Sequence, residues 1–82
     1  MTESKITVYG TDWCGDCVRA RRILDGRGIP YEWIDINRDA EARRYVVQVN
    51  NGYRSVPTIV FEDGTVLVEP SNAELEAKLG AT

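Results

Sequence analysis

The sequence predicts an α/β fold in which a small four-stranded mixed sheet is flanked by three helices, in the order β-α-β-α-β-β-α. Three observations lead there: two-residue alternation interleaved with helical spacing, an Asp-Gly hairpin signal, and glycine or asparagine punctuation after each helical stretch. With 82 residues the chain has the length of one domain, so residues 1–82 are expected to form a single unit. Hydrophobic residues make up 43% and charged residues 28%, a globular balance rather than a disordered or fibrous one. A domain this small buries roughly 60–65% of its unfolded surface, so a stability of about 4–12 kcal/mol is expected.

The elements follow in order. Lys5-Ile6-Thr7-Val8-Tyr9 alternates and is rich in β-branched and aromatic residues, so it reads as a strand. Gly10-Thr11-Asp12-Trp13 is a loop, after which Cys17, Ala20, Ile23 and Leu24 mark a helical face stopped by Gly26 and Gly28. Tyr31-Glu32-Trp33-Ile34-Asp35 is a second strand. Asp39 is a candidate N-cap for a helix carrying Ala42, Tyr45, Val46 and Val49, which Asn50-Asn51-Gly52 ends. Thr58–Phe61 and Thr65–Val68 flank Glu62-Asp63-Gly64 as a hairpin. Ser71 and Glu74 form a capping box for a last helix bearing Leu75 and Leu79 and closed by Gly80. Two strand-helix-strand crossovers are expected to place parallel neighbours, the hairpin an antiparallel edge, and the helices both faces of the sheet.

Charge and composition exclude several functions. Ten Lys and Arg against thirteen Asp and Glu give a net charge of −3, without a general basic footprint for nucleic acid. No apolar run approaches the roughly 20 residues of a membrane helix, and Met1–Lys5 lacks the apolar core of a signal peptide. A soluble, cytoplasmic protein is expected. The chain has no histidine, which removes Ser-His and Cys-His nucleophile pairs and His-ligated zinc.

The two cysteines, Cys14 and Cys17, are spaced C-x-x-C at the first strand-to-helix junction, a redox arrangement. A bridge closing so short a loop would restrain the unfolded chain very little, so chemistry rather than architecture explains the pair. Residues three apart on a helix have Cβ atoms about 5–6 Å apart, and a disulfide needs ~3.5–4.5 Å, so a small adjustment bridges them. Unpaired backbone N–H groups at the helix start favour a thiolate at Cys14, the expected attacking sulfur. Cys17, one turn inside, is the expected resolving thiol.

The neighbouring positions have more than one reading. Gly15 offers little bulk, which lets a substrate backbone approach. Asp16 either places a carboxylate where the first helical turn favours one, or opposes the thiolate and selects substrates by charge. Trp13 either shields the sulfur and gives substrate a flat contact, or packs in the core. Arg19, Arg21 and Arg22 form a solvated face or assist an anionic sulfur, and Arg21 or Arg22 is alternatively laid over the core. Pro57 suits the start of a strand, where base rates favour a trans bond after Val56.

Trp13-Cys14-Gly15-Asp16-Cys17, with Arg54-Ser55-Val56-Pro57-Thr58 before the third strand, resembles the glutaredoxin-like branch of the thioredoxin superfamily over essentially the whole chain. Thr11-Asp12-Trp13-Cys14, Val49–Thr58 and Asp63-Gly64-Thr65 are similar, more specifically, to the mycoredoxin pattern. The resemblance implies a thioredoxin fold and reduction of mixed disulfides between proteins and mycothiol. It implies a cis-proline at Pro57 facing the active sulfur, with the Val56 backbone offered to an extended substrate. It further implies that Arg54, and Ser71-Asn72 at the start of the last helix, border the groove for the small thiol. Glutathione-using relatives commonly carry a Lys where Thr11 stands and a Gly-Gly-x-Asp-type turn where Glu69-Pro70-Ser71-Asn72 stands, so the chain suits a thiol other than glutathione. Gly15-Asp16 also departs from the common Pro-Tyr pair.

The expected activity is therefore that of a thiol-disulfide oxidoreductase with no bound cofactor or metal and with mycothiol, rather than glutathione, as co-substrate. Its partners would be thiolated or disulfide-bonded client proteins, and the protein itself a monomer. One alternative is a thioredoxin-like protein disulfide reductant recharged by a flavoprotein thioredoxin reductase. Another is an iron–sulfur carrier, in which two subunits each give Cys14, two small thiols complete the ligand set, and Cys17 closes a competing disulfide.

Overall fold

In a computed structural model describing residues 6–80, seven elements follow in the expected order. They are β1 (Thr7–Gly10), α1 (Gly15–Gly26), β2 (Glu32–Asp35), α2 (Ala40–Val49), β3 (Thr58–Val60), β4 (Val66–Val68) and α3 (Asn72–Leu79). Lys5 and the leader expectation for Met1–Lys5 lie outside the described residues. No helix among the described residues is long and apolar enough to cross a membrane.

Each helix starts where a local side chain satisfies an orphan amide. The Asp39 carboxylate accepts from the Ala42 N–H at 3.0 Å and starts α2. At α3, Ser71 Oγ accepts from Glu74 N–H while Glu74 Oε1 accepts from Ser71 N–H, the reciprocal box expected from the sequence. Gly80 closes α3 with φ 99°, a conformation that glycine adopts without a Cβ penalty. The hairpin turn is pinned twice, by Gly64 N–H to Phe61 C=O at 2.9 Å and by Lys78 Nζ reaching Asp63 from α3 at 2.6 Å. The hydrogen bond from Lys78 holds the Asp63 carboxyl below the usual carboxylate range.

The sheet order is β2-β1-β3-β4. Period-two alternation sends Val8, Trp33, Ile59 and Leu67 to one face, where they meet Ala20, Ile23 and Leu24 of α1 and Leu75 of α3. Tyr9, Ile34, Ile36 and Val56 pack on the other side against Ala42, Tyr45 and Val46 of α2. Helices therefore cover both faces, as expected. Full burial of Leu24, Ile59 or Leu75 stabilises the fold by about 1.5–3 kcal/mol each relative to exposure. Val49, expected on the buried face of α2, is 39% exposed at the helix's last residue.

One topological expectation is corrected. β1 and β2 are parallel, but β3 runs antiparallel to β1, with Tyr9 opposite Thr58. The second crossover therefore does not deliver a parallel neighbour. The end of α2 already lies over the start of β3, because Asn50 Nδ2 donates to Thr58 Oγ1 at 3.1 Å. The chain re-enters the sheet at the end where β1 and β2 finish, so β3 must run the opposite way.

Thr58 is fully buried and also donates from Oγ1 to the Ser55 carbonyl at 2.7 Å, closing the loop before β3. Thr58→Val keeps the shape and strips both partners of their hydrogen bond. It is expected to destabilise the protein by roughly 1–3 kcal/mol, read as a lower urea midpoint at unchanged slope.

Candidate active site

β1 hands the chain to α1 through a tight turn in which the Cys14 N–H bonds to the Thr11 carbonyl at 3.3 Å. Cys14 is itself the N-cap of α1, with φ −82° and ψ 114°, and its sulfur accepts from the Cys17 N–H at 3.2 Å. A cysteine thus occupies the place that Ser or Asp takes at the other helices, and its sulfur faces the unpaired amides of the first turn. Cys14 is half-buried, whereas Cys17 is 0% exposed; both thiols are free.

Burial pushes the Cys17 thiol up to about 12, reinforced by its hydrogen bond with Cys14 and by the charges of Cys14 and Asp16. The Thr11 backbone opposes that shift only in part. The packing behind this is tight. A Cβ added at Gly10 would stand 2.6 Å from Cys17 Sγ and 2.8–2.9 Å from the Trp33 ring, so the end of β1 must be glycine for the sulfur to fit. Trp33 is held in turn by Arg21, whose guanidinium lies 4.1 Å from the ring centroid. This realises the expectation of an arginine laid over the core.

Residues Val56 and Pro57 form the facing wall. The peptide between them is cis, Pro57 is buried, and the Cys14 sulfur lies 3.9 Å from the Val56 carbonyl oxygen. The trans geometry favoured by base rates is thus replaced by the cis form that the resemblance implied.

Arg19 joins the dithiol turn to the last helix. Its guanidinium meets the Asp16 carboxylate at 3.1 Å, reaches the Pro70 carbonyl at 3.4 Å, and donates to Asn72 Oδ1. Asp16 is therefore half-paired rather than a lone charge, and the Asn72 side chain is turned toward α1. Ser71 is spent on the capping box. Gly15 is exposed, and a methyl group there would meet nothing within 4 Å.

Trp13 is 77% exposed, which corrects the core-packing alternative: the turn from Thr11 to Cys14 carries the indole away from the sheet. Arg54 lines a hollow of about 410 Å³ with Arg43, Arg44, Val47 and Gln48. Sequence reasoning missed three supports of the site: Gly10, Thr58 and the reach of Arg19. Only Gly10 left a trace, as a glycine closing a strand directly before the motif.

The glutaredoxin family model matches residues 6–67. Mycoredoxin 1 of Corynebacterium glutamicum is 44% identical over 78 residues, covering 95% of this chain and 96% of that protein. The glutaredoxin-like protein NrdH of Escherichia coli is 29% identical over 59 residues, 72% of this chain and 70% of its own. Among solved structures, a variant of a thioredoxin-like protein superposes with a TM-score of 0.81 at 33% identity, over 93% of this chain and 100% of that one.

Two outcomes follow from the buried sulfur. Iodoacetamide near pH 8 is expected to label Cys14 and spare Cys17, with Cys17 labelling rising only as pH approaches its value of about 12, as mass spectrometry would count. Gly10→Ala is expected to cost about 1–3 kcal/mol through overpacking, measured by urea unfolding.

Proposed function

The chain belongs to the glutaredoxin family and is a thiol-disulfide oxidoreductase, and from that premise we propose that it reduces mixed disulfides between proteins and a mycothiol-type thiol. The observation that supports the reading is the asymmetry of the pair: a half-buried sulfur capping α1 above a fully buried one. In the proposed cycle the Cys14 thiolate attacks the small-thiol sulfur of the mixed disulfide. A Cys14–small-thiol disulfide forms, the S–S bond between the small thiol and the client breaks, and the client leaves as a thiolate that takes up a proton. A second small-thiol molecule then attacks that adduct, leaves as the symmetrical small-thiol disulfide, and restores Cys14.

Cys17 supports a monothiol route by its reluctance to ionise. Burial holds the Cys17 proton well above the usual thiol range, so the inner sulfur is a poor nucleophile at neutral pH. In this cycle a dissolved small thiol regenerates Cys14, and Cys17 is the alternative resolver that closes the Cys14–Cys17 disulfide. Val56 and Pro57 would align the client, Trp13, Gly15 and Asp16 would border its path, and Arg54, Ser71 and Asn72 would border the groove of the small thiol. Thr11 is buried where glutathione-using relatives commonly carry a lysine, so no side-chain cation stands at that place to meet a glutathione carboxylate. The thiol is a co-substrate, not a resident cofactor. We place the activity in a single domain spanning 1–82, acting as a cytoplasmic monomer on thiolated client proteins.

A thioredoxin-like reductant recharged by a flavoprotein reductase is the second reading, favoured by the likeness to the thioredoxin-like structure at 33% identity. Reduction of the oxidised protein by mycothiol, glutathione and a thioredoxin reductase in parallel separates the two. Mycothiol is expected to act fastest; preference for the flavoprotein would overturn the proposal. Cys14→Ser is expected to lower turnover of a mycothiolated substrate by at least about 10³-fold, while Cys17→Ser keeps most of it.

A further inference from the structure

We propose that Trp33 is a positioning residue of the redox cycle: held by Arg21, its indole closes the space around the Cys17 sulfur and so sets how slowly Cys17 resolves an adduct on Cys14. The inference rests on Cys14 being the attacking sulfur and is independent of which small thiol recharges it. The Cys17 sulfur and the outer edge of the Trp33 ring converge on one point. A Cβ at Gly10 would stand 2.6 Å from Cys17 Sγ, 2.8 Å from Trp33 Cη2 and 2.9 Å from Trp33 Cζ3. Sulfur and ring edge therefore face each other across the room of a single carbon atom. Cys17 belongs to α1 and Trp33 to β2, so this closure exists only because the helix is packed on the sheet. Gly10 at the end of β1 and Thr11 after it, whose backbone bonds to the Cys17 sulfur, are themselves buried. Trp33 is half-buried, and it also lines an open hollow of about 400 Å³ beside Asp12 and Asp35. The residue that fills the sulfur's surroundings thus also reaches the surface, and it is the wall between the two.

Arg21 keeps the ring in place. It stands one turn after Cys17 on the same face of α1, with its guanidinium carbon 4.1 Å from the Trp33 ring centroid. Its Nε also donates to the Tyr31 hydroxyl at 3.5 Å, two residues before Trp33. One helix thus holds the indole twice, by a cation on its face and by a sulfur at its edge. The step this controls is closure of the dithiol. Cys17 gives up its proton, its sulfur attacks Cys14, and the bond between Cys14 and the small thiol breaks. The small thiol leaves as a thiolate that takes up a proton. Closure requires the Cys17 sulfur to ionise and to leave its place beside the ring, and burial opposes ionisation. A smaller side chain at position 33 admits water to the sulfur, favours the thiolate and speeds closure. Cys14 and Asp16 also act on Cys17, and a substitution at position 33 changes neither. Trp33 thereby preserves the interval in which a dissolved thiol regenerates Cys14.

The test uses the full chain, reduced and mixed at neutral pH with one equivalent of hydroxyethyl methanethiosulfonate. The reagent transfers its hydroxyethylthio group to the Cys14 thiolate and releases methanesulfinate. Acid quenching and mass spectrometry then follow the Cys14 adduct and the Cys14–Cys17 disulfide that replaces it as mercaptoethanol leaves. The wild-type adduct is expected to last about tenfold longer than that of Trp33→Leu, because the thiolate fraction rises as burial is relieved while each thiolate loses less in reactivity. Arg21→Met is expected to shorten the lifetime about threefold. Loss of a cation by itself disfavours a thiolate, so that acceleration reports the freed ring rather than the charge. Leu79→Ala opens packing beyond the opposite end of β1, beside Ile6 and Phe61, and is expected to leave the lifetime unchanged. An unchanged lifetime in Trp33→Leu would overturn the proposal, and so would equal shortening in Leu79→Ala. Should Trp33→Leu fail to fold, Arg21→Met decides alone, and a lifetime equal to that of the wild type overturns it. A wild type that takes up the group on Cys17 rather than Cys14 would overturn the reading of Cys14 as the attacking sulfur, and the role of Trp33 with it.

Discussion

The burial of one sulfur organises this molecule. Cys17 lies under the first turn of α1 with no exposed surface, against a glycine at the end of β1 and the ring of Trp33. That contact fixes how closely α1 approaches the sheet, and the start of α1 fixes Cys14 as its cap. The two cysteines therefore differ in accessibility before any substrate arrives. Desolvation keeps the inner thiol protonated far above neutral pH, while the outer sulfur faces backbone donors and solvent. A C-x-x-C motif with both sulfurs equally placed would not separate the roles of attack and resolution.

The rest of the fold holds three walls around that sulfur. β1 stands between β2 and β3, so the strand that carries the motif is supported on both edges. The Val56–Pro57 wall is anchored from behind by Thr58, whose hydroxyl joins the Ser55 carbonyl and the Asn50 amide at the end of α2. The start of α3 is tied to the dithiol turn by Arg19, which spans residues more than fifty positions apart in the chain. Asp16 belongs to that tie, so its charge is shared with a guanidinium rather than presented alone beside the sulfur. Each anchor lies next to a residue proposed to meet a substrate, which is how a small protein keeps a site rigid without a deep cavity.

Charge is distributed with the same economy. Most cations are used to fasten elements to one another: Arg27 joins α1 to α3 through Glu76 and the Gly80 carbonyl, and Lys78 joins α3 to the hairpin. Among the described residues, Arg22, Arg44 and Arg54 are left with neither an ion pair nor a hydrogen bond.

Much of this was legible in the sequence because much of it is local. Helix starts at Asp39 and Ser71, the Asp-Gly hairpin and the C-x-x-C at a strand-to-helix junction depend on partners three or four residues away, and such spacing is written directly in the chain. The direction of β3, the glycine demanded beneath Cys17, the exposure of Trp13 and the reach of Arg19 to Asn72 were not, and the cis bond before Pro57 was implied by the family resemblance rather than by composition or spacing. Each depends on atoms brought together from distant segments, and periodicity carries no information about which distant atom fills a given space. Sequence alone therefore determined the elements, their order and the dithiol chemistry; tertiary structure decided how buried each sulfur is, which walls face it and where uncompensated charge remains, because burial and long-range contact exist only once the chain has closed on itself.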